Sequence, residues 1–205
     1  MNLGRLLCLL GLHKMERAPG NVRGLAGAHH CARGCGESWP EIKWPPPPPR
    51  PSAVFDLMGV STRSLDIRDL AMTYAWRCDP VVRQAAENQR EPDAEQHAVW
   101  LEERRGAAHI VMSYGVPIGM FTVLRAGEDA ATIGYMVASE YRGAGYGRVV
   151  RQLALVMIRA RAPQVKVLRS RIRVENVRSL VTALKAGAIL TSVVDGFAVL
   201  EQKLQ

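Results

Sequence analysis

Apolar and polar residues follow two different periods over roughly the last three quarters of the chain, and each change of period marks an element. The pattern predicts a strand over 60–65 and a helix over 66–77, with Asp66 placed to cap the helix and Asp79-Pro80 to stop it. Further helices are predicted over 81–89 and 94–105; the second carries Ala94, His97, Ala98 and Leu101 at the i, i+3, i+4, i+7 spacing of one helical face. Strands over 109–114 and 118–125 flank Gly115-Val116-Pro117 as an antiparallel hairpin, and a third strand, 130–138, follows the turn Gly127-Glu128-Asp129. Residues 147–161 read as an amphipathic helix with Val150, Leu153, Ala154, Met157 and Ile158 on one stripe and Pro163 closing it. A strand over 165–174, a helix over 176–186 ended by Gly187, and a hairpin of 189–194 with 197–204 turned at Asp195-Gly196 complete the pattern. Strand-like and helix-like periods alternating in this way predict one α/β domain over 53–205.

The first part of the chain lacks that periodicity. Trp44 is followed by five prolines, Pro45 to Pro49, then Arg50 and Pro51, so 44–52 reads as a stiff extended spacer between the domain and a glycine-rich appendage at 1–43. The longest apolar run, Leu6 to Leu12, is about seven residues against the roughly 20 a spanning helix needs. Polar and charged residues, among them His13, Lys14, Glu16 and Arg17, follow where a leader's cleavage site should stand, which speaks against a secretory signal. Three of the four cysteines, Cys8, Cys31 and Cys35, crowd into this segment while Cys78 stands apart, a usage that predicts a cytoplasmic location rather than a disulfide scaffold. A net charge of +8 favours an anionic partner without choosing among nucleic acid, a membrane surface and a phosphorylated small molecule.

The sharpest chemical signal is Arg142-Gly143-Ala144-Gly145-Tyr146-Gly147, a glycine-rich turn between a predicted strand and a predicted helix. Such a junction presents unpaired N–H groups and the positive end of the helix dipole, a ready site for phosphate. Glycines let the backbone approach a diphosphate without Cβ clashes, and Arg142 adds a cationic donor. No Gly-Lys-Ser/Thr follows, as a Walker loop would need, and Arg148 stands where a dinucleotide fingerprint would continue.

Gly134 to Tyr141 running into this loop resembles the fourth strand and the Arg/Gln-x-x-Gly-x-Gly/Ala acyl-CoA signature of the GNAT acyltransferase superfamily, with Ser139 where proline is usual. Asn176-Val177-Arg178-Ser179 with Lys185-Ala186-Gly187 resembles that family's second signature, an asparagine opening a helix that closes on Lys-x-Gly. The resemblance covers about 150 residues. It implies an α/β fold with a mixed, mostly antiparallel central sheet flanked by helices, and an enzyme moving an acetyl group from acetyl-CoA to a primary amine by direct attack through a tetrahedral intermediate. It further implies that Met136, Val137, Arg142, Gly143, Ala144, Gly145, Tyr146, Gly147, Asn176 and Ser179 hold the coenzyme. Members often place a tyrosine general acid seven residues after the asparagine; here that position is Ala183, so another group must serve. Tyr135 and Glu140, adjacent to the expected cleft, are the catalytic candidates, with Tyr114, Glu128 and His97 behind them.

Trp76-Arg77-Cys78-Asp79-Pro80 followed by His97-Ala98-Val99-Trp100 resembles a subgroup that acetylates amino-sugar nucleotides, as in pseudaminic acid synthesis; related forms occur in ribosomal-protein N-terminal acetyltransferases. On that resemblance Trp76, Arg77, His97 and Trp100 wall the acceptor pocket. Arg169, Arg171 and Arg173 share one face of their predicted strand, and Arg171 at its centre would meet a nucleotide diphosphate. A protein N-terminus as acceptor and a non-catalytic acyl-CoA-binding adaptor remain as alternatives. In the appendage, Cys8, His13, Cys31 and Cys35 supply a loosely spaced tetrahedral set for a structural zinc, and their surroundings resemble small prophage proteins with zinc-ribbon-like ends. The alternative is a metal-free basic segment; either form could contact nucleic acid or protein.

Overall fold

Two-residue turns set two of the strand pairings among the described residues, because glycine and one tolerant neighbour supply the positive φ values that a tight hairpin needs. The computed structural model describes residues 59–204 together with the backbone of β1 (Met15–Arg17), β2 (His29–Cys31) and β3 (Ser38–Trp39), which pair antiparallel in that order. The proline-rich spacer and Cys8, His13 and Cys35 lie outside the described residues, and Cys31 ends β2. Among the described residues no group of His, Cys, Asp or Glu gathers as a metal site, and no helix is long and apolar enough to cross a membrane.

Seven strands form the main sheet: β4 (Val60–Ser64), β5 (Ala108–Ser113), β6 (Val116–Arg125), β7 (Ala130–Val137), β8 (Val167–Arg173), β9 (Ile189–Val194) and β10 (Phe197–Lys203). Their order is β4-β5-β6-β7-β8-β10-β9, antiparallel throughout except for the β7–β8 pair. The hairpin between β5 and β6 turns at Tyr114 and Gly115, with φ of 48° and 79°, one step earlier than the expected Gly115-Val116-Pro117. Pro117 therefore falls inside β6, tolerated beside a register shift at Val111/Met112 where a missing N–H costs little. The closing hairpin turns at Asp195 and Gly196, φ 51° and 76°, as the sequence predicts.

Among the described residues five α-helices flank the sheet: α1 (Leu70–Cys78), α2 (Pro80–Ala85), α3 (Ala94–Glu103), α4 (Tyr146–Arg161) and α5 (Val177–Lys185). Aspartates cap two of them and the short turn that leads into a third, because a carboxylate accepts from amides that a helix end leaves open. Asp66 opens the turn Ile67–Asp69 that leads into α1, Asp79 caps α2 through Val81 and Val82, and Asp93 caps α3 through Glu95 and Gln96. The helix expected over 81–89 stops at Ala85, since Ala86 is already extended. One hydrophobic cluster joins Trp76, Ala98 and Leu101 of α1 and α3 to Ile110, Met120 and Phe121 of the sheet and to Val150, Ala154 and Ile158 of α4. A buried cation, Arg151, pins α4 to the sheet through Ser170 Oγ at 3.0 Å and Gln202 Oε1 at 2.9 Å.

Candidate active site

The site follows from an interrupted pairing. Strands β7 and β8 run parallel and bond only over Ala130–Thr132 against Val167–Arg169; beyond that β7 continues to Val137 and β8 to Arg173 with no ladder between them. Beyond Thr132 the edge of β7 turned towards β8 therefore has no strand partner; Val137 O on it is taken by a side chain, and the alternate groups left open are costly unless a ligand or water meets them. A cleft of about 690 Å³ opens there. Its β-sheet lining is Met120, Phe121 and Thr122 of β6 with Gly134, Tyr135, Met136 and Val137 of β7. Arg142, Gly143 and Gly147 line it from the loop, Asn176, Val177, Arg178, Ser179, Val181 and Thr182 from α5 and its cap, and Arg77, Val81, Val82, Ala85, Ala86 and Trp100 from α1, α2 and α3.

The glycine loop is built to leave space. Gly143 and Gly145 have φ of 79° and 90°, values an L side chain resists, and a Cβ at either position would meet nothing within 4 Å. Gly145 stands at the N-cap of α4 with no side chain to satisfy the helix amides. The amides of Gly143, Ala144 and Gly145 make no backbone hydrogen bond among the described residues. Arg142 is fixed beside them: its Nε donates to Val137 O at 3.0 Å, its Nη1 pairs with Asp79 Oδ1 at 2.9 Å, and its buried Nη2 has no partner among the described residues. Empty space, open amides, a helix N-terminus and an unfilled guanidinium donor together fit a diphosphate.

Asp79 does two things at once. The same Oδ1 that receives Arg142 also accepts from the amides of Val81 and Val82, so the first turn of α2 and the glycine loop share one anchor. At its other end the α2 segment is tied to β8, with Arg171 Nη1 paired to Glu87 Oε1 at 2.5 Å and Arg173 Nε donating to Ala86 O at 2.9 Å. The segment bridges the loop and β8, the elements on either side of the splay. The sequence offers Asp79 as a helix stop; its role as counter-ion to a residue 63 positions on carries no local signal.

Several expected site residues sit elsewhere. Glu140 is exposed in the turn Ser139–Tyr141 and does not line the cleft, nor do the hairpin-turn residue Tyr114 and the turn residue Glu128. Trp76 is 3% exposed and belongs to the core. Tyr146 is likewise buried, its ring edge-on to Tyr141, so only its backbone could face a ligand. Ala144 and Gly145 belong to the loop without lining the cleft. The three arginines of β8 do alternate outward, but Arg169 pairs with Glu201, Arg171 with Glu87, and Arg173 with Ala86 O, while Arg171 and Arg173 also lie over the Phe197 ring. Arg171 is thus occupied by protein partners and lies outside the cleft, which removes the premise for a diphosphate on that face.

His97 is also inside the core. Its Nε2 lies 3.0 Å from Thr73 Oγ1 and its ring stacks on Trp100 at 5.3 Å, so it supports the indole rather than facing the cleft. Burial pushes its pKa down to about 4. Because the folded value lies below the unfolded one near 6.5, the unfolded chain takes up the proton first as pH falls. Stability from this group is complete above pH 6.5 and is lost on the way down to about pH 4, by up to about 3 kcal/mol. Burial lowers His109 as well, with the same sign. Urea unfolding at pH 7.5 and 4.5 should therefore show a smaller acid loss in His97→Gln than in the parent; equal losses would contradict the assignment.

Comparison with known proteins bears on the family and the fold. The family model described as Acetyltransferase (GNAT) domain matches residues 61–189. No curated protein sequence matches the chain. Among solved structures, a domain from Methanocaldococcus jannaschii is 23% identical, with 71% of this chain and 98% of that one covered at a TM-score of 0.64. A protein from Salmonella typhimurium solved with its cofactor acetyl-CoA is 19% identical, covering 72% and 95% at 0.58. Spermidine N-acetyltransferase from Vibrio cholerae, solved with CoA and spermine, is 15% identical, covering 71% and 96% at 0.62.

Proposed function

This chain belongs to the GNAT acetyltransferase family, and from that premise we propose that it moves the acetyl group of acetyl-CoA onto the primary amine of a small molecule. The observation that carries this reading is the unpaired edge of β7 leading into a loop whose glycines face empty space beside an unfilled Arg142 donor. The coenzyme supplies an acyl group already activated as a thioester. The loop amides and Arg142 receive its pyrophosphate, and Asn176 and Ser179 at the start of α5 line the same side. An N–H on the open edge of β7, near Met136 and Val137, is positioned to take up charge developing on the carbonyl oxygen. As the amine attacks, the C–N bond forms and the C–S bond breaks; the departing thiolate needs a proton and the amine must lose one.

Tyr135 is the group we assign to the first of those protons. Among the described lining residues there is no carboxylate and no imidazole, and Tyr135 is the acidic side chain present, its ring 3.8 Å from where a Cβ on Gly147 would stand. A phenol can give a proton to a thiolate and regain it from water. The amine's own proton goes to solvent, since the cleft wall provides no base. Tyr135→Phe should lower kcat by about a hundredfold while leaving the Kd of acetyl-CoA unchanged. An unchanged kcat would take Tyr135 out of the chemistry.

From the sequence we propose one acyltransferase domain over 53–205, with 44–52 as spacer to the appendage. The amino-sugar-nucleotide reading of the acceptor now rests on Arg77 and Trp100, which line the cleft, since Trp76, His97 and Arg171 do not. Parallel assays of thiol release with an amino-sugar nucleotide and with peptide N-termini separate the two acceptor classes; transfer to peptides alone would refute the small-molecule reading.

A further inference from the structure

The charges lining the cleft are all positive. They belong to Arg77, Arg142 and Arg178, and no Asp or Glu lines it among the described residues. Arg142 is matched by Asp79. Arg178 is exposed on α5, next to the asparagine and serine on the coenzyme side. Arg77, in the last turn of α1, is different: it is half-buried, its Nη2 makes a long hydrogen bond to Asn88 O at 3.3 Å, and no carboxylate lies within ion-pair distance among the described residues. Burial lowers its pKa, as expected of a desolvated cation without a counter-charge. A guanidinium carries five donors in a rigid fork, and those of Arg77 that Asn88 O does not take are open to an anion entering the cleft.

Resting on the reading of this cleft as an acetyl-transfer site, we infer that the acceptor is an amine whose far end carries an anionic group, a carboxylate or a phosphate, received by Arg77. Trp100 supplies the adjoining surface. Its indole lines the cleft and stacks on the buried His97 ring, an apolar aromatic surface for the body of a sugar or an aliphatic chain. The same arrangement rejects acceptors with a second cationic group: a polyamine would bring positive charge to Arg77 and find no carboxylate to receive it. Specificity here is therefore opposite in sign to that expected for spermine, the amine in the Vibrio cholerae structure.

The test uses the full chain and acetyl-CoA, with thiol release measured for glucosamine, glucosamine 6-phosphate, glutamate and spermidine. The expected result is a kcat/KM at least about tenfold higher for glucosamine 6-phosphate or for glutamate than for glucosamine and spermidine. Which of the two is favoured distinguishes phosphate from carboxylate. Arg77→Leu should erase that preference without changing the Kd of acetyl-CoA measured by calorimetry, and Arg77→Lys should restore part of it. Preference for spermidine or glucosamine, a preference that survives Arg77→Leu, no transfer to either anionic amine, or a loss confined to acetyl-CoA binding would each overturn the inference. A wild-type chain that does not bind acetyl-CoA would instead bring down the acetyl-transfer reading beneath it.

Discussion

Gly145→Asp is expected to weaken acetyl-CoA binding by at least about a hundredfold in a protein that still folds. Gly145 holds a φ of 90° at the N-cap of α4, and its missing Cβ faces open space. Aspartate in that backbone region costs about 1–2 kcal/mol, partly offset because its carboxylate can cap the open amides. The carboxylate would then take the open amides meant for the pyrophosphate and set a like charge beside it. Losing two charge-assisted hydrogen bonds at about 1.5–3 kcal/mol each, with like-charge repulsion added, corresponds to a factor of a hundred or more. Gly145→Ala carries the backbone strain without the charge and should cost far less affinity. A Kd for Gly145→Asp within about threefold of the parent would remove the loop from the binding site.

Asp79→Ala should produce the largest loss of stability among single changes at the cleft, about 3 kcal/mol, which lowers Tm by roughly 6–12 °C for a domain of this size. Two causes add. The first turn of α2 loses a cap worth about 1 kcal/mol, and Arg142, largely buried, loses its counter-ion. Asp79→Asn keeps an oxygen for the cap and should lose only the second part. A double-mutant cycle with Arg142→Met isolates the pair; the expected coupling is about 1–3 kcal/mol, and strictly additive losses would show that the two residues do not act together.

The parts of this molecule legible in its sequence are those with local causes. The glycine loop could be found because positive φ at an otherwise open helix N-terminus constrains residue type position by position. The alternation along β8 was equally readable, and the structure keeps Leu168, Ser170 and Ile172 buried between outward arginines. What those arginines bond to was not readable, because Glu201, Glu87 and Ala86 lie 32 to 87 residues away and are brought together only by the fold. That tertiary pull also explains why α2 ends early: Ala86 and Glu87 leave the helix and reach β8. The spacing of His97 and Trp100 put both rings on one side of a helix, but spacing cannot say that the imidazole would turn inward to Thr73 while the indole met the cleft. Glu140 fails for a related reason, since adjacency in sequence to a cleft strand does not survive the turn at Ser139–Tyr141. Strand β9 shows the limit of periodicity itself: Ile-Leu-Thr-Ser-Val-Val has no alternation, and all six residues are exposed at the sheet edge.

Calorimetric titration of acetyl-CoA into the full 205-residue chain tests the central claim most directly. The account predicts saturable binding of one coenzyme per chain, with a negative heat-capacity change from burying the pantetheine arm along the open edge of β7. No heat of binding from a protein shown to be folded by its cooperative unfolding would contradict it.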